Sequence, residues 1–222
     1  TNNIVNLTNV SSVGGDVFGG NTNAESSTSG GVKNATGFAA ENKVILSNIN
    51  IKGGANTSSK VGGTEKDTVI TTGNVIGGYG AVSENNSVNA KVTNNTAYSV
   101  NGSVIGGFGL ELAKNNSVNV SGFSAQGAYK VGGAVVGGLA LNGTAQNNTV
   151  FLSHTNLTGT ENTLNVSNTT WALEKGSLVG GYAVNNSTGN KIELENTSVK
   201  GFAYGGYSVN ASASENTVTL LG

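Results

Sequence analysis

The sequence predicts an all-β fold, a parallel β-solenoid, and three observations lead to this prediction. A motif of Gly-Gly followed by Asn-x-Val, or its equivalent, returns along most of the chain. After each of these Asn residues apolar and polar side chains alternate, which is the period of a strand with one buried face. The composition of 35 Gly, no Pro and 10% charged residues offers few strong helix formers and many turn formers, which argues against a helical repeat.

The motif itself defines the repeat. Its glycine pair and its asparagine lie about eight to eleven residues apart, and successive copies follow at roughly 25 to 43 residues, a spacing typical of repeat proteins. Because one short strand cannot bury its apolar face alone, the copies are expected to stack in parallel at about 4.8 Å. The clear copies contain Gly77, Gly78 and Asn86; Gly106, Gly107 and Asn116; Gly137, Gly138 and Asn148; Gly180, Gly181 and Asn190; and Gly205, Gly206 and Asn216.

The N-terminal third carries weaker copies. They lie at residues 3–7, 17–20, 42–46 and 67–70, the last with Asp67 where Asn usually stands. The repeat therefore covers residues 1–222, which we interpret as a single solenoid domain and as a fragment of a longer surface protein. At roughly 20 to 30 residues per coil, the chain is predicted to form about eight to ten coils and a rod of some 40 to 50 Å.

The repeated residue types each have a structural use. The Asn of each coil is expected to occupy the left-handed backbone region, and its side-chain amide is expected to bond to the amides above and below it as a ladder. The Gly-Gly pair is expected to allow either a tight corner or a close approach to the next coil. These residues are therefore interpreted as structural.

A wider step separates two copies of the motif, from Gly138 to Gly180. It predicts an extra coil or a protruding loop at residues 154–175, which holds the only His, His154, and the only Trp, Trp171. Insertions in solenoids lie in loops and often carry binding, so Trp171 is a candidate binding residue. The alternative is that Trp171 caps or fills the apolar column.

One apolar residue follows each glycine pair and should form a ladder along the rod. Packing in the core or at a corner is the favoured role, because a repeated aromatic residue usually fills a column. The functional alternative is an exposed strip that stacks on sugar rings or on a partner protein. The residues concerned are Tyr79, Phe108, Leu139, Tyr182 and Tyr207, of which the four aromatic ones are candidate binding residues.

Other kinds of chemistry find little support. Glu193 and Glu195 are the only close carboxylate pair, expected on the exposed face of one strand, and a nucleophilic triad would have to use His154 without any Gly-x-Ser-x-Gly elbow. No metal-ligand cluster or cofactor motif is present, so neither a metal nor a cofactor is expected. The basic residues are scattered lysines, which excludes nucleic acid as a partner, and no apolar run has the length of a membrane span.

Residues 75–89 and 179–194, with Gly-Gly-Tyr followed by Asn-x-Val or Asn-x-Ile, resemble the passenger domains of type V autotransporter adhesins of Gram-negative bacteria. The resemblance covers residues 74–222 well and residues 1–74 loosely. It implies a right-handed parallel β-helix and a secreted rod at the bacterial cell surface. Its implied partners are a glycan or protein on host cells or other bacteria, or further copies of the chain.

Three functional hypotheses follow. The first is a non-enzymatic adhesin segment that acts as a β-helical stalk and binding scaffold. The second is a self-assembling fibre or biofilm matrix protein, since the ends of a solenoid are open strand edges. The third is a β-helix enzyme that degrades polysaccharides, for which Glu193 and Glu195 are the only candidates.

Overall fold

The computed structural model describes residues 1–22, 37–53, 73–159 and 176–221, together with the backbone of six short strands between these ranges. Asp67 and Trp171 lie outside the described residues, so their expected roles stay predictions. All regular structure in the described part of the chain is β-strand. The predominance of strands agrees with a sequence rich in Val and Thr and poor in helix formers.

The strands are short and follow one another closely. In chain order they begin with β1 (Ile4–Thr8), β2 (Ser12–Val13), β3 (Val17–Asn21), β4 (Ser27–Ser29), β5 (Val32–Asn34), β6 (Phe38–Ala40), β7 (Lys43–Ser47), β8 (Asn50–Ile51), β9 (Ser58–Lys60) and β10 (Val69–Thr71). They continue with β11 (Val75–Glu84), β12 (Ser87–Lys91), β13 (Tyr98–Val100), β14 (Val104–Lys114), β15 (Ser117–Ser121), β16 (Tyr129–Val131), β17 (Val135–Ala140), β18 (Thr144–Gln146), β19 (Thr149–Ser153) and β20 (Thr155–Leu157). The last are β21 (Leu164–Asn165), β22 (Ala172–Leu173), β23 (Leu178–Ala183), β24 (Ser187–Thr188), β25 (Lys191–Glu195), β26 (Ser198–Val199), β27 (Ala203–Ser208), β28 (Ala213–Ser214) and β29 (Thr217–Leu221).

Three parallel sheets run along the molecule, and each coil visits them in turn. The Gly-Gly sheet contains β3, β11, β14, β17, β23 and β27, and a second column of it contains β6, β18, β24 and β28 beside the far halves of β11 and β14. The Asn sheet contains β1, β7, β12, β15, β19, β25 and β29, and the third sheet contains β2, β8, β13, β16, β20 and β26. The predicted parallel β-helix is therefore confirmed.

Strict register places equivalent side chains above one another. Val44 pairs with Val88, Val88 with Val118 and Val118 with Val150 along the Asn sheet. The Gly-Gly sheet and the third sheet contribute similar apolar columns, which meet the first inside the solenoid as one core. Most of these side chains are fully buried, and each contributes about 1.5–3 kcal/mol of hydrophobic stabilisation.

The described residues form six complete coils and the first strand of a seventh, fewer than the eight to ten predicted. At about 4.8 Å per coil the rod is about 30 Å long, not 40 to 50 Å. Two segments that alternate like solenoid strands lie outside the coils: β10 pairs antiparallel with β9, and β21 pairs antiparallel with β10 and β22. Within the expected repeat at residues 67–70, the prediction of a solenoid strand is therefore wrong for Val69 and Ile70, because both belong to this antiparallel sheet.

Two further antiparallel strands, β4 and β5, pair with each other between β3 and β6. The four strands β9, β10, β21 and β22 come from two insertions that leave the solenoid at paired glycines. Gly53 and Gly73 flank the first insertion and Gly159 and Gly176 the second, all with positive φ. A Cβ on Gly73 would lie 3.0 Å from the Gly53 nitrogen, and one on Gly176 would lie 3.1 Å from the Gly159 nitrogen. Each insertion thus leaves and re-enters the rod at one point, and residues 154–159 of the expected loop complete a regular coil.

Candidate functional site

The predicted asparagine ladder runs through every coil. Asn86 Nδ2 donates to Asn116 Oδ1 at 3.0 Å, and Asn116 Nδ2 donates to Asn148 Oδ1 at 3.0 Å. The backbone N–H of each of these residues donates to the same oxygen. The full ladder comprises Asn3, Asn42, Asn86, Asn116, Asn148, Asn190 and Asn216. Its interior members are almost fully buried and fully occupied by these bonds.

The left-handed residue, however, is the one before each ladder asparagine. Asn85, Asn115 and Asn147 have φ of 55°, 54° and 53°. Gly189 takes this position before Asn190, and Glu41 takes it before Asn42. The expectation that one Asn would supply both the turn and the ladder is therefore wrong, because adjacent residues divide these two tasks.

The two glycines of each pair serve close approach, and neither makes a corner. A Cβ on the first glycine, such as Gly106, would overlap the backbone oxygen of Gly137 in the next coil. A Cβ on the second, such as Gly107, would overlap the carboxamide of Asn116 in its own coil. The Gly-Gly and Asn positions of the motif are thus coupled through space.

The apolar residues that follow the glycine pairs do form a ladder, but most of it is buried. The exposed fractions of Tyr79, Phe108 and Tyr182 are 4%, 0% and 3%. The Tyr79 and Phe108 ring centroids lie 5.0 Å apart. Burial, and then the neighbouring Tyr207, raise the pKa of Tyr182 to about 12. The hypothesis of an exposed sugar-binding strip is therefore wrong for these three rings. Tyr207 differs from them, because it is only half-buried.

These rings lie on the outer side of the Gly-Gly sheet, where a second layer must cover them. Val75 points into the main core, whereas its neighbour Ile76 belongs to a separate cluster with Tyr79 and Phe108. Ile76 and Ile105 are nevertheless 0% exposed. Both insertions join the rod at one edge of this sheet, after a strand of the third sheet and before β11 or β23.

The outer ladder becomes accessible in the last described coil. Tyr182 and Tyr207 stack with centroids 5.3 Å apart, Tyr204 meets Tyr207 edge to face, and Phe202 contacts Tyr204. Phe202 is 50% exposed. This aromatic cluster is one candidate surface for a ligand.

A second candidate is created by differences in corner length between the Asn sheet and the third sheet. The corners at residues 92–97 and 122–128 are long, whereas the next coil turns on His154 alone and the one after it on residues 196–197. The two long corners are stacked: Ser124 Oγ donates to Asn95 Oδ1 at 2.9 Å. They form a ledge beside the short corners.

A groove of about 480 Å³ lies beside this ledge. Phe123, Ser124, Ala125 and Ala128 line it from the ledge, and His154, Asn156 and Asn196 line it from the two following coils. The Phe123 side chain is 56% exposed. The groove therefore presents an aromatic ring next to imidazole and carboxamide groups.

The single histidine of the chain is held by a hydrogen-bond network behind this groove. Ser153 Oγ donates to Glu195 Oε2 at 3.0 Å, so its oxygen accepts from the Nδ1–H of His154 at 3.0 Å. In a Ser-His-acid triad the imidazole stands between the serine and the acid. Here the serine lies in the middle, and its hydroxyl donates a hydrogen bond to the carboxylate. The network therefore orients His154 and does not activate Ser153.

The other candidate catalytic groups are also engaged locally. Ile192 and Leu194 of β25 are buried, so the alternating Glu193 and Glu195 lie on its outer face as expected. Glu193 forms an ion pair with Lys191. Within the described ranges, no three His, Cys, Asp or Glu residues come together as metal ligands, and no helix is long and apolar enough to cross a membrane.

Sequence reasoning missed Phe123, Asn156 and Asn196. The signal for Phe123 is the long, polar interval between Val120 and Tyr129, which places an aromatic residue in a turn. The corner lengths of successive coils would have revealed the ledge once the copies were aligned.

No protein-family model, curated protein or solved structure matches this chain. The likeness to autotransporter passengers therefore depends on the repeat motif and the fold.

Proposed function

We propose that this chain is a non-enzymatic segment of a bacterial cell-surface adhesin, acting as a β-helical stalk and binding scaffold. Its proposed setting is extracellular, and its partner is a glycan or protein on host cells or other bacteria. The observation that supports this proposal most is that the residues that stabilise each coil are different from those on its outer surface. Ladder asparagines, paired glycines and core valines hold the rod together, which leaves the outer surface free to carry insertions and a groove.

A bead-attachment assay tests the proposal. Beads coated with the purified chain should attach to cultured epithelial cells or to bacteria, and soluble chain should displace them in a saturable way. Beads coated with serum albumin are the control for non-specific attachment. Attachment no greater than that of albumin beads on every surface would contradict the proposal.

Self-association is a second candidate, favoured by one observation. The open end of the solenoid at β29 exposes Val218, Leu220 and Leu221, at 41%, 76% and 44%, and the first two continue the core columns of Ile192 and Leu194. A parallel edge of this kind accepts either a further coil or another copy of the chain. Growth of the light-scattering mass with protein concentration would support self-assembly, and a constant monomer mass would contradict it.

A further inference from the structure

We propose that the groove beside Phe123 is a binding site for a neutral hexose unit of a glycan. This inference depends on the proposed adhesin function and adds to it a ligand class and a set of contact residues. It is carried by the shape of the groove, by the exposed ring and by the chemistry of the remaining lining residues.

The shape follows from the stacking of the coils. The groove spans the coil of Phe123, the coil of His154 and the coil of Asn196. Two coil spacings of about 4.8 Å give it a length that suits one or two pyranose rings. It is open to solvent along one side, as a site for part of a longer glycan chain requires.

The Phe123 ring is exposed but its turn is fixed. Phe123 N–H donates to Gly127 O at 3.0 Å, and Gly127 N–H donates to Ser124 Oγ at 3.1 Å. The ledge beneath adds the bond from Ser124 to Asn95. An exposed apolar ring on a fixed turn can stack on the C–H face of a sugar, because little backbone entropy is lost on binding.

The polar lining suits hydroxyl groups. The carboxamides of Asn156 and Asn196 each offer a donor and an acceptor. Nδ1 of His154 is occupied by Ser153, which leaves Nε2 for a ligand hydroxyl. A sugar hydroxyl both donates and accepts, so it can use each of these groups.

The charge of the lining selects among glycans. No Lys, Arg, Asp or Glu occurs among the described residues that line the groove. The nearby Glu195 carboxylate, which accepts from Ser153 Oγ, is itself negative and offers no attraction to an anionic sugar. A sialic acid or a sulfated sugar would therefore find no cationic partner, which favours a neutral hexose.

Saturation-transfer NMR and calorimetric titration of the purified chain test the site. The probes are glucose, galactose, mannose and N-acetylglucosamine, and their disaccharides, with sialyllactose as the anionic comparison. At least one neutral probe should bind saturably, and Phe123→Ala should weaken that binding about tenfold or more. Phe123→Trp should keep the affinity within about threefold, because the stacking face is retained.

Phe202→Ala is the matched control, since Phe202 is 50% exposed and Phe123 is 56% exposed. Loss of binding in Phe202→Ala with retention in Phe123→Ala would move the sugar to the aromatic cluster and overturn the proposal. Tighter binding of sialyllactose than of every neutral probe would overturn it as well, as would the absence of saturable binding to all probes.

The bead assay separates this inference from the proposed function. Cell attachment that persists in Phe123→Ala, by a chain that binds no neutral sugar, would remove the groove and keep the adhesin. Sugar binding that depends on Phe123, by a chain that attaches to no cell, would keep the groove and remove the adhesin.

Discussion

At the scale of single residues, the motif requires a glycine at position 107, because the Asn116 side chain fills the space that a Cβ would occupy. The three atoms nearest to a Cβ on Gly107 all belong to the Asn116 carboxamide. Gly107→Ala should therefore destabilise the chain by about 3 kcal/mol through overpacking. Asn116→Ala should also cost about 3 kcal/mol, because buried donors on Asn86 lose their acceptor.

The double variant should lose less free energy of unfolding than the two single variants lose together, by about 2–3 kcal/mol. The reason is that Asn116→Ala removes the atoms that the new Cβ of Gly107→Ala would overlap. Denaturant unfolding of all four proteins measures this coupling. Gly106→Ala is the comparison that should show no rescue by Asn116→Ala, because its Cβ would strike a backbone oxygen of the next coil. Additive effects in the Gly107 cycle would contradict the steric explanation.

The residue scale also shows where sequence reasoning stops. The glycine pairs, the asparagine ladder and the valine columns could be predicted, because each repeats at a fixed place. The left-handed position was assigned one residue too late, because Asn85 and Asn86 are both Asn and the sequence does not distinguish them. The ledge that presents Phe123 arises between coils about thirty residues apart, so it is visible only when the repeat copies are aligned and not in any single local pattern.

At the scale of elements, the insertions leave the rod beside the Gly-Gly sheet, and we expect them to cover the apolar side chains on its outer side. Their strands alternate like those of the solenoid, so Val69 and Leu164 resembled repeat residues in sequence. In the fold they belong to an antiparallel sheet that joins two distant coils. The inserted strands and the solenoid strands thus share the same apolar-polar alternation. What differs is the pair of glycines at 53 and 73, and at 159 and 176, where the chain leaves the rod and returns to it.

Replacing residues 160–175 by a Gly-Ser link should uncover part of this outer face. We expect the rod to remain folded, because Gly159 and Gly176 are adjacent, and we expect the fluorescence of bound anilinonaphthalene sulfonate to rise about twofold or more. Far-UV circular dichroism checks that the strands persist. Asn119→Ala, exposed on the Asn sheet, is the control variant that should leave dye binding unchanged. Equal dye binding by the shortened and intact chains would show that the insertion covers nothing.

At the scale of the whole molecule, stability should depend on position along the rod. Within the three parallel sheets each strand pairs only with those of the adjacent coils, so an interior defect breaks two interfaces and a terminal defect breaks one. Asn116→Ala should therefore lower the free energy of unfolding by about 3 kcal/mol, and Asn3→Ala should lower it by about 0.5 kcal/mol. Asn3 is exposed, so water can replace its side chain as a hydrogen-bond partner. Urea unfolding of the two variants provides the measurement. A cost for Asn3→Ala equal to that for Asn116→Ala would argue that the chain unfolds as one indivisible core.

The hydrogen bonds of the asparagine ladder also give the rod a polarity, so that its two ends differ. Backbone bonds between coils run both ways, as Glu41 N–H donates forward to Glu84 O and Lys43 N–H donates back to Asn3 O. The bonds between ladder carboxamides, in contrast, all run from Nδ2 of one coil to Oδ1 of the next coil toward the C-terminus, so the dipoles along this column add as those of a helix do. Any coil that extends the column, from this chain or from another copy, must therefore arrive with the same polarity, and two rods cannot join head to head through this ladder.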